Sequence, residues 1–249
     1  MDDAQLLRYS RHMLLTELGP DAQDKFGAAH ALVVGVGGLG NPAAHFLAAA
    51  GVGTLTLCDA DHVDLTNLQR QILYATPDIG RAKVDAAAAR LAAINPDVRV
   101  TQVAMRVGAA ELTPLVAGAD IVLDCSDNFV TRHAINRACV IARKPLVSGA
   151  ALRFDGQIAV FDVRAADSPC YHCLFGEGDE LEETRCATMG VFAPLVGIVG
   201  ATQAGEALKL IAGVGETLAG RLLILDALAM QWRDVRVPRD PACPVCGIR

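Results

Sequence analysis

Hydrophobic positions follow more than one rhythm along this chain. Near the N-terminus Leu6, Leu7, Met13, Leu14 and Leu18 recur among charged residues at helical spacing, which predicts an amphipathic helix over 2–18. The pattern then becomes strand, turn, helix. Residues 31–35 form a short apolar run, 37–40 a glycine turn, and 42–50 a helix with proline near its first turn. A strand at 54–58 runs into acidic residues, and an alanine-rich helix at 81–94 is stopped by Asn95-Pro96. Further strands are predicted at 98–103, 121–124 and 145–147, with helices near 109–117 and 128–142.

Strands that alternate with helices imply right-handed βαβ units and a mainly parallel sheet with helices on both faces, an α/β fold. Beyond residue 150 the rhythm changes. A strand is predicted at 157–163, an acidic, turn-rich stretch at 174–188, and a long apolar helix at 192–212. Two late strands, 221–225 and 231–237, are expected to run antiparallel to the rest. There is no internal repeat and no linker, so residues 1–249 are expected to form a single domain, with a nucleotide-binding part over about 28–150 and the remainder over 151–249.

Composition narrows the class. With 52% hydrophobic residues and a formal net charge of −6, the chain is excluded from the disordered proteins. Its acidic balance argues against a nucleic-acid partner, whose electrostatic footprint is basic. Two stretches without a charged residue, 26–58 and 187–205, raise the question of a membrane. Both are broken by glycines and a proline and carry polar residues, so they are expected to be buried elements. No basic region followed by an apolar stretch opens the chain. The expectation is a cytoplasmic protein with no membrane partner.

Candidate chemistry gathers at the carboxyl ends of the strands. Gly35-Val36-Gly37-Gly38-Leu39-Gly40 has the spacing that lets a strand turn tightly into a helix and brings phosphate to the helix N-terminus, which makes the fold Rossmann-like. Asp59 ends the next strand, where a carboxylate can accept from ribose hydroxyls. Asp61, Asn67, Arg70 and Lys83 follow, and Asp124-Cys125-Ser126-Asp127-Asn128 ends a further strand. Each has a plainer reading. Asp127 is also a good N-cap for the helix after it, and Arg70 and Lys83 can be surface charges. Two cations and a magnesium-type acid near a phosphate turn suit a nucleoside triphosphate better than a dinucleotide.

Cysteines supply the second signal. Cys58, Cys125 and Cys139 sit singly in apolar patterns, where buried thiols are ordinary. Cys170-Tyr171-His172-Cys173 and Cys243-Pro244-Val245-Cys246 are two Cys-x-x-Cys knuckles, which together predict a closed, structural zinc site of four thiolates. His172 then becomes a bystander. Cys186, beside Arg185 in the acidic stretch, reads equally as a nucleophile or as an inert loop thiol.

Taken together, Arg8-Tyr9-Ser10-Arg11, the glycine turn, Asn67–Gln71, Asp124–Asn128, Ser148-Gly149-Ala150, Cys186 and both knuckles resemble the MoeB/ThiF-type sulfur-carrier adenylyltransferases, relatives of the ubiquitin-activating enzymes. The resemblance covers essentially the whole chain. It implies attack by the C-terminal Gly-Gly carboxylate of a small ubiquitin-like carrier, MoaD- or ThiS-like, on the α-phosphate of Mg-ATP. It assigns the turn (Gly35, Gly37, Gly38, Gly40) and Asp59, Asp61 and Asn128 to ATP, with Asp59 on the ribose. Asn67, Arg70 and Lys83 handle phosphates, and Asp127 positions Mg2+. Arg11 matches an arginine that reaches the triphosphate from the other chain of a homodimer, and each chain carries a Zn2+. Cys186 matches a cysteine that bonds covalently to the carrier in thiamin-type members and is dispensable in molybdopterin-type ones. Members with a fused sulfurtransferase domain are much longer, so a separate sulfur donor is expected. Stretch 174–188 keeps an acidic sequence of its own. The rivals are a nicotinamide-dependent oxidoreductase on the same turn and a non-catalytic, zinc-stapled carrier-binding protein.

Overall fold

The central strands are the least polar segments of the chain, and a parallel sheet is where such segments can be covered on both faces. In the computed structural model, which describes residues 1–177 and 189–247, β1 (His30–Val34), β2 (Thr54–Cys58) and β4 (Ile121–Asp124) are buried almost throughout. With β3 (Arg99–Val103) and β5 (Leu146–Leu152) they form the parallel part of an eight-stranded sheet. The sheet continues antiparallel through β6 (Asp155–Phe161), β7 (Arg221–Asp226) and β8 (Gln231–Arg236), in the order β3-β2-β1-β4-β5-β6-β7-β8.

Alternation along β1 assigns its residues to two cores. Ala31 and Val33 face α3 (Gly40–Ala49), α4 (Lys83–Ile94) and α8 (Ala193–Ala212). Leu32 and Val34 face α5 (Ala109–Ala117) and α6 (Phe129–Ala142). Helix α8 is long and apolar enough to cross a membrane by length and composition, but it packs against α2 (Gly19–Ala28), α3, β5 and β6. The short α7 (Tyr171–Leu174) carries the first knuckle.

Most predicted elements lie where the pattern put them, and the late strands are antiparallel as expected. The N-terminal helix differs. It ends early, as α1 (Asp3–Met13), and a second helix begins at Gly19, whose φ of +61° is a left-handed conformation that suits glycine. An Asp2–Gln5 capping box starts α1, and Pro20 in the first turn starts α2.

Strand order decides where a ligand can sit. From β1 the chain winds outward to β2 and β3, then crosses back so that β4 lies on the other side of β1. The β1/β4 boundary is therefore a topological switch point, where the loops leaving neighbouring strands diverge and open a crevice at their carboxyl ends.

Candidate active site

A cleft of about 530 Å³ occupies this switch point. Its floor is the glycine turn. Gly35 has φ +91°, and a Cβ there would lie 2.6 Å from the Cys125 carbonyl oxygen. A Cβ on Gly40 would overlap the Gly35 carbonyl, and one on Gly38 would crowd Val196 of α8 at 3.2 Å. At Gly37 only the Gln71 amide nitrogen comes within 4 Å, at 3.7 Å, so its bare face remains open to the cleft. No side chain caps α3; inside its first turn Asn41 and Ala43 already donate to the Gly37 and Leu39 carbonyls and Pro42 has no N–H, so the amides left to an anion are those of the turn itself, Gly37 to Gly40.

Asp59 braces this turn. Its carboxylate accepts from the Val36 amide at 2.7 Å and from the Asp61 amide at 2.9 Å. Burial raises its pKa above the ordinary carboxylate value, against the opposing influence of the Lys83 charge and these two amides. Asn41 and Tyr74 complete the scaffold. Asn41 donates to the Val36 carbonyl at 2.7 Å and accepts from the Leu73 amide at 2.7 Å, while the Tyr74 hydroxyl donates to the same carbonyl at 2.7 Å. The segment bearing Asn67, Arg70 and Gln71 is thereby tied to the turn.

Lys83 is not a surface charge. Its side chain is 7% exposed, at the first position of α4, and its Nζ donates to Asp61 Oδ2 at 2.8 Å. Arg70 is half-buried and donates to the Thr66 carbonyl at 3.0 Å. Asn67 accepts from the Asp64 amide at 3.2 Å in a capping box. Gln71 is buried at the cleft wall, and its Oε1 has no partner among the described residues.

Two acids end β4, and the structure separates them. Asp124 is fully buried and accepts from the Ser126 amide (3.0 Å), the Ser126 hydroxyl (2.6 Å) and the Ser148 hydroxyl (2.8 Å). Its charge faces the Arg132 guanidinium, whose Nε lies 4.0 Å from Oδ2, so it has little left for a metal ion. Asp127 is exposed in the cleft, and the capping role open to it in the sequence belongs instead to Asn128, whose Oδ1 accepts from the Thr131 amide at 2.9 Å. Asp127 therefore presents a carboxylate free of helix capping, the hard oxygen donor that Mg2+ prefers.

Sequence reading missed Arg132. Its side chain is 12% exposed, and its Nη2 donates to the Ser126 carbonyl at 2.8 Å and the Gly149 carbonyl at 3.2 Å. It thus clamps the Asp127 loop to β5. Its partners lie in two other segments, so no spacing in the sequence marks it.

Arg11 is exposed on α1, and it does not line this cleft. Two residues earlier, the Tyr9 hydroxyl accepts from Asn95 Nδ2 at 2.8 Å, at the far end of α4 from Lys83. Twelve helical residues put about 18 Å between those ends.

The four knuckle cysteines converge between α7 and the tail after β8. Their sulfurs all lie within 4.8 Å of one another, with separations of 4.0 Å (Cys170–Cys173), 3.8 Å (Cys170–Cys243) and 3.4 Å (Cys173–Cys246). A tetrahedron with Zn–S near about 2.3 Å has edges of about 3.8 Å, so the quartet fits zinc. Asn136 supports it, donating to Cys170 Sγ at 3.6 Å and accepting from the Tyr171 amide at 2.9 Å. Cys58, Cys125 and Cys139 are each buried apart from the quartet. Burial, and secondarily the Asp59 charge, push Cys58 up to about 12; burial first, then Asp124, raises Cys125 and Cys139 further. Cys186 lies outside the described residues.

Fold and cleft together define a Rossmann-like nucleotide-binding protein with cations placed beside its phosphate turn. Residues 9–245 match the ThiF family, and the chain belongs to it. It is 46% identical over 247 residues to the sulfur carrier protein ThiS adenylyltransferase of Escherichia coli (strain K12), covering 99% of this chain and 97% of that one. It is 44% identical over 250 residues to the molybdopterin-synthase adenylyltransferase of the same strain, covering 99% and 98%. Among solved structures, E. coli MccB with ATP superposes with a TM-score of 0.85 at 25% identity, over 96% of this chain and 73% of that chain.

Proposed function

We propose that this protein adenylates the C-terminal Gly-Gly carboxylate of a small ubiquitin-like sulfur carrier protein, using Mg-ATP. The observation that carries the reading is the cleft, where an open phosphate turn, Asp59, the buried Lys83 and the exposed Asp127 converge. The names of the relatives that match this chain nearly end to end support the same activity.

A carrier carboxylate oxygen attacks the α-phosphorus, the bond to the bridging oxygen breaks, and pyrophosphate leaves with its electron pair. The products are carrier acyl-adenylate and pyrophosphate. Asp59 accepts from the ribose hydroxyls, and the amides of the turn from Gly37 to Gly40 receive phosphate oxygens. Lys83, Arg70 and Asn67 stabilise charge moving onto the leaving group, and Asp127 would hold Mg2+. That ion supplies charge neutralisation on the phosphates when bound. Arg132 and Asn128 hold the Asp127 loop in place. Catalysis is positioning and electrostatics, with no protein nucleophile required.

The same reading makes the protein a cytoplasmic homodimer with one structural Zn2+ per chain, a separate sulfur donor, and Arg11 serving the partner's cleft. Carrier-dependent ATP–pyrophosphate exchange tests it, with a molybdopterin-type and a thiamin-type carrier run in parallel. Exchange with one of them names the pathway. Exchange with neither, together with NADH binding in place of Mg-ATP, would return the oxidoreductase reading.

A further inference from the structure

Away from the cleft, one more set of metal-ligating side chains comes together among the described residues. His133 lies on α6, His172 on α7, and Glu177 three residues past the end of α7. One ligand atom from each lies within 4.8 Å of the other two. His133 Nδ1 is 3.9 Å from Glu177 Oε1, and the two imidazole rings are 5.7 Å apart between centroids. His172 Nδ1 is buried with no hydrogen-bond partner among the described residues. A buried ring nitrogen left in that state costs stability unless a ligand or a proton donor fills it.

We propose that His133, His172 and Glu177 form a second divalent-metal site, distinct from the cysteine quartet, for a borderline cation of the Zn2+ type. Two imidazoles and a carboxylate are the donors of open zinc sites, with the fourth position left to water. Nitrogen and oxygen ligands at about 2.0–2.1 Å stand about 3.3 Å apart around a tetrahedral ion, so the three groups close by up to about 1.5 Å on binding. Glu177 is exposed, and its movement exchanges a contact with Arg137 for the ion.

Arg137 gives the site its character. Its guanidinium pairs with the Glu177 oxygen that the metal would take. It therefore competes with the ion and neutralises the carboxylate when no ion is bound. The quartet offers four thiolates and is closed; this site offers three weaker donors and a built-in competitor. Its occupancy follows the free metal concentration, and the bound ion ties α6 to α7. None of this depends on the adenylation reading.

The test is titration of the intact protein with Zn2+ alone, in competition with a chelator, and in parallel with Co2+. Two equivalents should bind. Only the quartet equivalent should bring thiolate-to-cobalt charge-transfer absorption, because the second site has no sulfur. Glu177→Gln should weaken the second equivalent by at least about tenfold with the quartet metal retained. His172→Asn should remove it, and Arg137→Gln should tighten it several-fold. Glu177 is not adjacent to a quartet cysteine, so its variant stays informative if His172→Asn disturbs the quartet. A protein that takes no second equivalent overturns the proposal, as does a Glu177→Gln protein that binds it as wild type does. Arg137→Gln binding no more tightly than wild type overturns it as well.

Discussion

Asp127 and Asn128 show how much one residue of offset decides. Both types cap helices, so the sequence leaves the roles open, and only the turn geometry awards the cap to Asn128. The consequences are opposite for the two side chains. Asn128→Ala should cost about 1 kcal/mol of stability, read as a lowered Tm. Asp127→Asn should leave Tm unchanged and lower carrier-dependent pyrophosphate exchange by about a hundredfold or more, because an amide is a poor Mg2+ ligand. An Asp127→Asn protein with full exchange activity would remove the magnesium assignment. Asp59 makes a pH prediction. Burial holds its pKa above the ordinary value, so its contribution to stability is present below that ordinary value and lost as pH rises through the raised one. Ribose binding needs the ionised form, so ATP affinity should fall as pH drops through the raised pKa. Calorimetric titration across pH checks this. Asp59→Asn should flatten the profile, and Lys83→Met should move the fall to higher pH, because the Lys83 charge is the largest influence holding the carboxyl down.

At the scale of elements, legibility tracked apolarity. β1, β2 and β4 were visible because parallel strands buried on both faces are short hydrophobic runs. The apolar pattern predicts β5 only at 145–147, yet the strand runs to Leu152. Beyond Val147 it contains Ser148 and Gly149, whose reasons are tertiary. Ser148 donates to the buried Asp124, and a Cβ on Gly149 would strike the Gln203 side chain. Gln203 is itself invisible in the sequence, a polar residue inside an apolar helix. Its amide donates to the Asp124 carbonyl at 2.8 Å and to the Val147 carbonyl at 3.2 Å, locking β4 to β5 under the cleft. Arg132 was missed for the same reason, since its partners come from two other segments. The knuckles were legible because their signal is spacing. They join α7 to the tail beyond β8, and a metal held there would contribute its binding energy to folding. Cys173→Ser or Cys246→Ser should therefore lower zinc content and Tm together, while Cys139→Ser should leave the metal in place. A wild-type protein free of zinc on metal analysis would contradict the structural role.

At the scale of the whole molecule, the two ends of α4 are the informative coordinates. Lys83 marks the cleft; Asn95 marks the opposite side, where Tyr9 and hence α1 are anchored. About 18 Å of helix lies between them, so α1, held there through Tyr9 on Asn95 and Arg8 on the Ile94 carbonyl, is anchored at the end of α4 away from its own cleft. If Arg11 grips a triphosphate with its paired donors, the triphosphate belongs to another copy of the chain. The alternative is an ordinary helix-surface arginine whose loss costs little. Arg11→Ala should be folded and dimeric, with exchange reduced by about 10³-fold or more, the scale seen for arginines supplied across an interface. Mixing then separates trans from cis. Arg11→Ala and Asp127→Ala homodimers, each inactive, are dissociated, combined equally and reassembled. In a heterodimer the cleft of the Arg11→Ala chain keeps its own Asp127 and receives the intact Arg11 of the other chain, while the second cleft carries both lesions. Half of the dimers are mixed and each holds one complete cleft, so activity should return to roughly a quarter of wild type under two-fold symmetry. No recovery, in a sample shown to contain heterodimers, would place Arg11 within its own chain's site and overturn the trans assignment.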